Sequence, residues 1–195
     1  MRTWIIGSTS DYSKAVADRC YGVTKFGRDN IDYGASFESF IKKQEHLPNQ
    51  IFINIGIEEK ISEPFNAPDG DVRNMLIKFT ETWLWKLRLY TWFRQQNIPC
   101  TIVDVTSTIT MWPQNFPEHV HYAVMRAMGQ QIAMSNNSKK LKIIQVSPNG
   151  ITPERIEEYA DKTVAWMNEP DYAINYIIDL DNDKLIGMRE VPIEE

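Results

Sequence analysis

A short turn near the amino terminus has residues suited to binding a phosphate. In the segment IIGSTSDYSKAVADR, two isoleucines of a strand pattern run into Gly7 and then into Ser8, Thr9 and Ser10, before a helical pattern begins. The first amides of a helix lack intrahelical acceptors, and the helix dipole places about half a positive charge at the same end, which attracts a phosphate. Ser10 or Asp11 could also cap the helix that follows. The turn therefore has the chemistry to hold a nucleotide.

The glycine pattern of this turn is incomplete. A dinucleotide-binding turn usually contains two further glycines that let the backbone approach the pyrophosphate. Asp11 and Ser13 occupy those positions in this sequence, and an acidic side chain beside a phosphate is repulsive. On its own, the segment fits an ordinary connection between a strand and a helix better than a phosphate site.

The elements that would position such a turn alternate along the chain. Runs rich in β-branched and aromatic residues predict strands, and apolar residues at three- and four-residue spacing predict helices. The predicted strands are Thr3–Ile6, Val23–Phe26, Gln50–Ile55, Thr101–Thr106, Lys142–Val146 and Tyr176–Leu180, and the predicted helices are Ser13–Arg19, Ser36–Gln44, Val72–Gln96, His121–Ser135 and Pro153–Met167. This order predicts a doubly wound parallel sheet covered on both faces, a Rossmann-like three-layer α/β fold.

Composition narrows the class of protein. A chain of 195 residues with 43% hydrophobic residues fits one domain spanning residues 1–195. The net charge of -5 and the scattered basic residues argue against a nucleic-acid partner. No stretch matches the roughly 20 mostly uncharged residues of a membrane span, and the first residues lack a secretory signal, so we expect a cytoplasmic protein without membrane contact. Cys20 and Cys100 lack metal-ligand spacing, which predicts reduced thiols and no metal site.

Nearly the whole chain resembles a compact short-chain dehydrogenase/reductase, a family of NAD(P)-dependent oxidoreductases built on this fold. The segment GSTSDYSKAVADR is similar to the family's glycine-rich turn and first helix, with Gly7 at the first glycine. FINIG, residues 52–56, is similar to the Asn-Asn-Ala-Gly strand that supports the cofactor and keeps Asn54 and Gly56. The resemblance implies a cofactor crevice above these two segments.

The resemblance also implies a catalytic serine and tyrosine. IVDVTS ends where the family has its catalytic serine, which gives that role to Ser107 and leaves Thr106 and Thr108 as alternatives. YAVMR is similar to the family's Tyr-x-x-x-Lys motif, with Tyr122 in the tyrosine position and Arg126 in place of the lysine. In the family the tyrosine gives or takes the hydroxyl proton of the substrate, and the serine holds the substrate oxygen.

The chemistry of the Tyr122–Arg126 pair follows from helix geometry. A phenol has a pKa near 10, so a proton exchange near neutral pH requires a neighbouring positive charge that favours the phenolate. Residues four apart share one face of a helix, so Arg126 can supply that charge to Tyr122. A planar guanidinium imitates a compact ammonium imperfectly, which predicts a slowed or specialised enzyme. An ordinary half-buried helix tyrosine is the alternative.

The resemblance assigns the cofactor as NADP or NAD. VSPNGIT, residues 146–152, is similar to the family segment that packs near the nicotinamide carboxamide. Arg28 follows the second strand, where a guanidinium suits the 2′-phosphate of NADP, although the adjacent Asp29 could pair with a ribose hydroxyl instead. The candidate cofactor-binding residues are Gly7, Ser8, Thr9, Ser10, Tyr12, Arg28, Asn54, Gly56, Pro148 and Thr152.

The predicted helix Val72–Gln96 has large apolar residues on two opposing faces. One face carries Phe79, Trp83, Leu87 and Tyr90, and the other carries Trp85, Leu89 and Trp92. A monomeric surface helix is apolar on one stripe only, so with the first face on the sheet the second needs a cover. In the family this helix joins the subunit interface, and we expect a homodimer or homotetramer. The alternative is a cover from another helix of the same chain.

Two functions remain in view. The first is an NAD(P)-dependent oxidoreductase that transfers a hydride between the nicotinamide and a carbonyl or alcohol on a small-molecule or carrier-bound substrate. The second is a catalytically inactive nucleotide-binding or structural protein with the same scaffold. Departures from the family pattern favour the second: the altered glycines, Arg126, no asparagine at residues 78–80, and no substrate-covering insertion after Thr152.

Overall fold

The structure, a computed structural model, describes residues 1–27, 29–55, 68–106, 120–148, 150–169, 174–182 and 184–190. The strands are β1 Thr3–Ile6, β2 Val23–Phe26, β3 Gln50–Ile53, β4 Cys100–Val105, β5 Leu141–Ser147, β6 Ile174–Asp179 and β7 Lys184–Glu190. The helices are α1 Asp11–Asp18, α2 Phe37–Lys42, α3 Asp69–Gln96, α4 Val120–Ser135 and α5 Ile156–Met167, with a short 3₁₀ turn at Pro153–Arg155 before α5. Within these ranges no helix is long and apolar enough to cross a membrane.

The strands form one sheet in the order β2-β1-β3-β4-β5-β6-β7. The first six strands are parallel and β7 is antiparallel to β6. The predicted doubly wound, Rossmann-like α/β class is therefore confirmed. Strand β7 is an addition that the sequence did not indicate, because a segment with charged ends and a central glycine becomes a strand only by pairing with β6.

Helices cover the sheet on both faces, so its central strands are buried on each side. Every residue of β1, β3, β4 and β5 is buried, as continuous apolar runs predict. On one face the Trp4 ring packs edge-on against Phe26 and Phe40, with centroids 5.4 and 5.6 Å apart. On the other face Tyr12 of α1 packs against Phe52 at 5.5 Å.

The face of α3 that we expected a partner subunit to cover is buried within the chain. Trp85 and Leu89 are 1% and 0% exposed, whereas Leu87, assigned to the sheet face, is 36% exposed. The Trp85 ring lies 5.3 Å from Phe37 and 5.4 Å from Phe40 of α2. Aromatic residues of α2 therefore cover this face from within the same chain, which is the alternative to a subunit interface. Of the residues assigned to the sheet face, Tyr90 is buried, at 4% exposure, so the assignment of that face was wrong only in part, at Leu87.

The cysteines are free thiols in the part of the chain that the structure describes. Cys100 is fully buried in β4, and Cys20 is half-buried just after α1. Burial raises the pKa of both thiols above the ordinary value. Neither thiol is therefore set up as a reactive thiolate at neutral pH.

Candidate functional site

The candidate site lies at the carboxyl edge of the sheet, where the strand order reverses. Strand β1 lies between β2 and β3. The connections that leave neighbouring strands at such a reversal run to opposite faces of the sheet, which opens a crevice between them. The turn after β1 is held from both sides. The Gly7 amide donates to the Phe26 carbonyl at 2.9 Å, and the Asn54 amide donates to the Ile6 carbonyl at 2.9 Å.

Gly7 is the one residue of the turn that has to be glycine. Its φ is +80°, in the left-handed region, and a Cβ at this position would lie 2.0 Å from the Asn54 carbonyl oxygen. The turn therefore presses against the end of β3 backbone to backbone. A tight turn at this point is the role of the first glycine in a dinucleotide-binding turn.

Two serines and one asparagine brace the turn in place of the missing glycines. The Ser13 hydroxyl donates to the Gly7 carbonyl at 2.8 Å and lies 2.8 Å from the Ser10 hydroxyl, while Asn54 Nδ2 donates to Ser10 Oγ at 2.9 Å and Ser13 Oγ at 3.2 Å. Ser10 Oγ also caps α1 by accepting from the Ser13 amide at 3.1 Å. A hydroxyl has one proton and two lone pairs. Because Ser13 gives its proton to Gly7, Ser10 gives its proton to Ser13.

The count of hydroxyl protons and lone pairs changes the role predicted for Ser10. Its hydroxyl has no donor left for a phosphate, so Ser10 shapes the turn rather than contacting a ligand through its side chain. The hydroxyl of Ser8 and the methyl of Thr9 lie beside the end of β2, each 3.6 Å from where a Cβ at Gly27 would be. The first-turn amides of Asp11 and Tyr12 have no intrahelical acceptor. These amides and the Ser8 and Thr9 hydroxyls are the donors that the turn offers.

The charge of Asp11 is compensated locally. Its carboxylate accepts from Lys14 Nζ at 2.7 Å, and both side chains are largely exposed. A carboxylate that is paired and turned to solvent repels an anion at the helix terminus less than a bare one does. The acidic residue in the second glycine position is thus compatible with a phosphate in the crevice.

Tyr12 belongs to the core. Its side chain is 1% exposed, and its hydroxyl is 2.5 Å from the Thr163 hydroxyl of α5. Burial raises the pKa of this phenol above its ordinary value. The side chain fixes α1 against α5, and the part of Tyr12 left for a cofactor is its backbone amide.

The two candidates on the far side of the crevice differ in exposure. Pro148 is buried immediately after β5, whereas Thr152 is exposed and precedes the 3₁₀ turn. The Thr152 hydroxyl hydrogen-bonds to the Glu154 carboxylate and, together with the Glu154 amide, lowers the pKa of that carboxyl below its usual value. Thr152 is therefore engaged by the start of the following helix.

The remaining candidates lie partly or wholly outside the described residues. Arg28, Gly56 and Ser107 are outside them. Tyr122 and Arg126 belong to α4, which begins at Val120, but the description of this part of the chain is limited to the backbone. The helix places the two residues one turn apart, as predicted from their spacing.

Sequence reasoning missed a buried polar cluster on the other face of the sheet. Lys86 Nζ of α3 lies 2.7 Å from Oδ1 of Asp104 in β4, and the Tyr90 hydroxyl donates to Asp104 Oδ2 at 3.0 Å. Lys86, Tyr90 and Asp104 are 4%, 4% and 5% exposed. The available signal was a lysine on an otherwise apolar helix face and an aspartate inside an apolar strand.

This chain has the fold of the short-chain dehydrogenases/reductases. A carbonyl reductase from Pseudomonas aeruginosa PAO1 matches with a TM-score of 0.75 over 95% of this chain and 99% of that chain, at 13% identity. The same enzyme in complex with NADP matches with a TM-score of 0.70 over 99% and 100% of the chains, also at 13% identity. Serine dehydrogenase from Escherichia coli matches with a TM-score of 0.69 over 92% and 96%, at 14% identity.

A further match carries a different cofactor. A 3-oxoacyl-(acyl-carrier protein) reductase with bound NAD from Brucella melitensis gives a TM-score of 0.68 over 91% of this chain and 88% of that chain, at 12% identity. No family model matches the sequence, and no curated protein sequence is significantly similar to it. At identities this low, the likeness establishes the fold.

Proposed function

We propose that this protein is an NAD(P)-dependent oxidoreductase of the short-chain dehydrogenase/reductase type, acting on a carbonyl or alcohol in a small or carrier-bound substrate. The observation that carries the proposal is the backbone cradle at Gly7, where the turn after β1 meets the end of β3 with a clearance that excludes a Cβ. A tight glycine turn that leads from β1 into the amino terminus of α1, at the switch point of the sheet, suits a dinucleotide pyrophosphate.

The described residues fit a dinucleotide. The amides of Asp11 and Tyr12 and the hydroxyls of Ser8 and Thr9 would receive the pyrophosphate and the adjoining ribose, and the paired Asp11–Lys14 side chains leave this end of α1 without net charge. NADP or NAD, when bound, supplies the hydride acceptor or donor. Both cofactors occur among the matched enzymes. Arg28 would favour NADP by pairing with the 2′-phosphate.

The proton chemistry would fall to residues of α4 and of the segment after β4. Tyr122 would give the substrate oxygen its proton during reduction and take it back during oxidation. Arg126, one turn further along α4, would favour the phenolate through its positive charge. Ser107 would hold the substrate oxygen by a hydrogen bond, because β4 ends at Val105 on the carboxyl edge, next to the crevice.

A fluorescence titration with NADPH tests the proposal. The six tryptophans of the chain are energy donors for a reduced nicotinamide bound to the same domain. We expect tryptophan emission to be quenched and nicotinamide emission to rise, saturating below millimolar NADPH, and we expect excess NADP⁺ to reverse both signals. A titration that stays linear up to millimolar NADPH would exclude the proposed cofactor.

A second function is favoured by the bracing of the turn. The Ser10 and Ser13 hydroxyls form hydrogen bonds with Gly7, with Asn54 and with each other. These side chains stabilise the turn without a ligand, whereas a glycine-rich turn leaves its polar groups for the ligand. A catalytically inactive protein that binds a nucleotide weakly, or uses the scaffold for assembly, would have such a turn. Saturable NADPH binding without turnover on any of a panel of aldehydes, ketones and alcohols would favour this alternative.

We propose in addition that the protein is a homo-oligomer that associates through α3. Ile77, Leu84 and Leu87 of this helix are 46%, 42% and 36% exposed. Ile77 and Leu84 are seven residues apart and Leu87 follows three residues later, a spacing that aligns them along one side of the helix. A second copy of α3 would bury this stripe.

A double substitution tests this interface. Leu84→Glu with Leu87→Glu is expected to convert a dimer or tetramer into a monomer, because like charges would face each other across the seam. Sedimentation velocity at micromolar concentration measures the change. Tyr21→Glu, at a site that is 75% exposed and outside α3, is the control and should leave the oligomer intact. A parent protein that sediments as a monomer would remove the interface.

A further inference from the structure

Helix α3 carries one buried charge among the apolar side chains that it turns toward the sheet. Trp85, Leu89 and Phe93 of this face are almost fully buried, and so is Lys86. The Lys86 ammonium lies 2.7 Å from Asp104 Oδ1 of β4. The two side chains are 5% and 7% exposed. The pair joins α3 to β4, the strand on which this part of the helix packs.

The carboxylate of Asp104 is satisfied on both oxygens. Lys86 occupies Oδ1, and the Tyr90 hydroxyl, one turn further along α3, donates to Oδ2 at 3.0 Å. Burial and the adjacent carboxylate raise the pKa of Tyr90 well above its ordinary value, so this hydroxyl keeps its proton and remains a donor. Two donors from successive turns of α3 therefore fix the orientation of the Asp104 carboxylate of β4.

The cluster also touches α4. A Cβ at Gly129 would lie 2.2 Å from Gln145 Nε2 of β5 and 3.7 Å from Asp104 Oδ2. Helix α4 reaches the polar cluster here because residue 129 has no side chain. Gly129 follows Arg126 by three residues and Tyr122 by seven, a spacing that puts the three positions on one side of the helix.

A buried ion pair is weak evidence for a role in stability. Removing two charges from water is costly, and replacing such a pair by apolar residues of similar size is often neutral or stabilising. An apolar replacement would also match the neighbouring side chains of α3. An ion pair with hydrogen bonds is directional, whereas an apolar contact is not. It can therefore fix the register of one element along another.

We propose that Lys86 and Asp104 are positioning residues of the site, which fix α3 on β4 beside the point where α4 reaches the sheet at Gly129. Asp104 lies three residues before Ser107, and α4 carries Tyr122 and Arg126. A shift of α4 on β4 would therefore displace the backbone that carries the proposed proton donor. This role rests on the proposed oxidoreductase function.

An apolar triple variant tests the role of the pair. Lys86→Met, Tyr90→Phe and Asp104→Leu together remove both charges and both side-chain donors that the Asp104 carboxylate accepts from. We expect this variant to keep the parental Tm within a few degrees. We also expect its kcat to fall by at least about tenfold, while the KM for NADPH stays at the parental value because the Gly7 turn lies on the other side of the sheet from Lys86.

Amide hydrogen exchange gives a readout that does not depend on turnover. In the triple variant, amides of residues 120–135 are expected to exchange about tenfold faster relative to those of α1 and α5. The reason is that α4 would no longer pack against a fixed polar cluster. The control is Leu89→Ala, which removes apolar packing from α3 but keeps the pair. This control should speed exchange across the whole domain without singling out α4.

The outcomes separate the two proposals. Parental kcat together with parental exchange in α4 would overturn the positioning role. If the parent protein shows no turnover, the oxidoreductase proposal fails, and exchange in α4 still decides whether the pair holds that helix. Should the triple variant not fold, Lys86→Met with Asp104→Asn keeps an acceptor for Tyr90 without either charge, and the same two measurements apply to it.

Discussion

A Gly7→Ala variant is expected to lose saturable NADPH binding and to unfold at a markedly lower temperature. The new Cβ would lie 2.0 Å from the Asn54 carbonyl oxygen, at a residue whose φ is +80°. The left-handed conformation alone costs about 1–2 kcal/mol with a side chain, and the backbone clash must push the turn away from β3. We expect a loss of about 3 kcal/mol or more, which corresponds to a fall in Tm of about 6–12 °C for a domain of this size.

A second glycine provides the matched control. Gly70 of α3 has nothing within 4 Å of its Cβ position and no positive φ, so Gly70→Ala should be neutral or slightly stabilising. Both variants are compared by thermal unfolding and by the NADPH titration. If Gly7→Ala binds NADPH as tightly as Gly70→Ala does, the turn after β1 is not the cofactor site.

Tyr122→Phe is expected to abolish turnover while cofactor binding is kept. The substitution removes the hydroxyl that would exchange a proton with the substrate, and loss of a general acid or base costs about 10²–10⁴-fold in rate. The Gly7 turn is unchanged, so the NADPH dissociation constant should be parental. The measurement is kcat for carbonyl reduction beside the fluorescence titration, with Tyr21→Phe as the control at a tyrosine that is 75% exposed. Parental turnover in Tyr122→Phe would remove this tyrosine from the mechanism.

The partner of this tyrosine is tested by the pH profile of alcohol oxidation. Oxidation requires the phenolate, so its rate rises with pH through the pKa of the phenol. Arg126→Met removes the positive charge that favours the phenolate, and the rising limb should move to higher pH. Arg126→Lys keeps a positive charge and should leave the limb near its parental position. An unchanged profile in Arg126→Met would show that this guanidinium does not act on the phenol.

The elements that depend on short stretches of chain could be predicted well. Strands β1 and β2 have the predicted bounds, and the predicted strand at Gln50–Ile55 corresponds to β3 at Gln50–Ile53. Ser10 and Ser36 each cap a helix by accepting from the amide three residues later. These features follow from neighbouring residues, because apolar continuity, capping side chains and glycine turns act over a few positions.

The backbone setting of the candidate site could be predicted in part, and the roles of its residues stay predictions. Gly7, Ser10 and Asn54 meet at the switch point as expected, since parallel strands bring their carboxyl ends to one edge. The internal use of the Ser10 hydroxyl proton could not be foreseen, because it depends on Ser13 giving its own proton to the Gly7 carbonyl. Tyr12 likewise proved to be a core residue through its contact with Thr163, more than a hundred residues away in the chain.

Short-range patterns were enough to predict the class of fold, the first six strands in chain order, and the glycine of the turn after β1. Which face of α3 is buried depends on packing, since its two apolar faces are alike until the α2 aromatics cover Trp85. The pairing of Lys86 with Asp104 and of β7 with β6 depends on packing as well. These contacts join separate elements, so their energy exists only once the elements have packed.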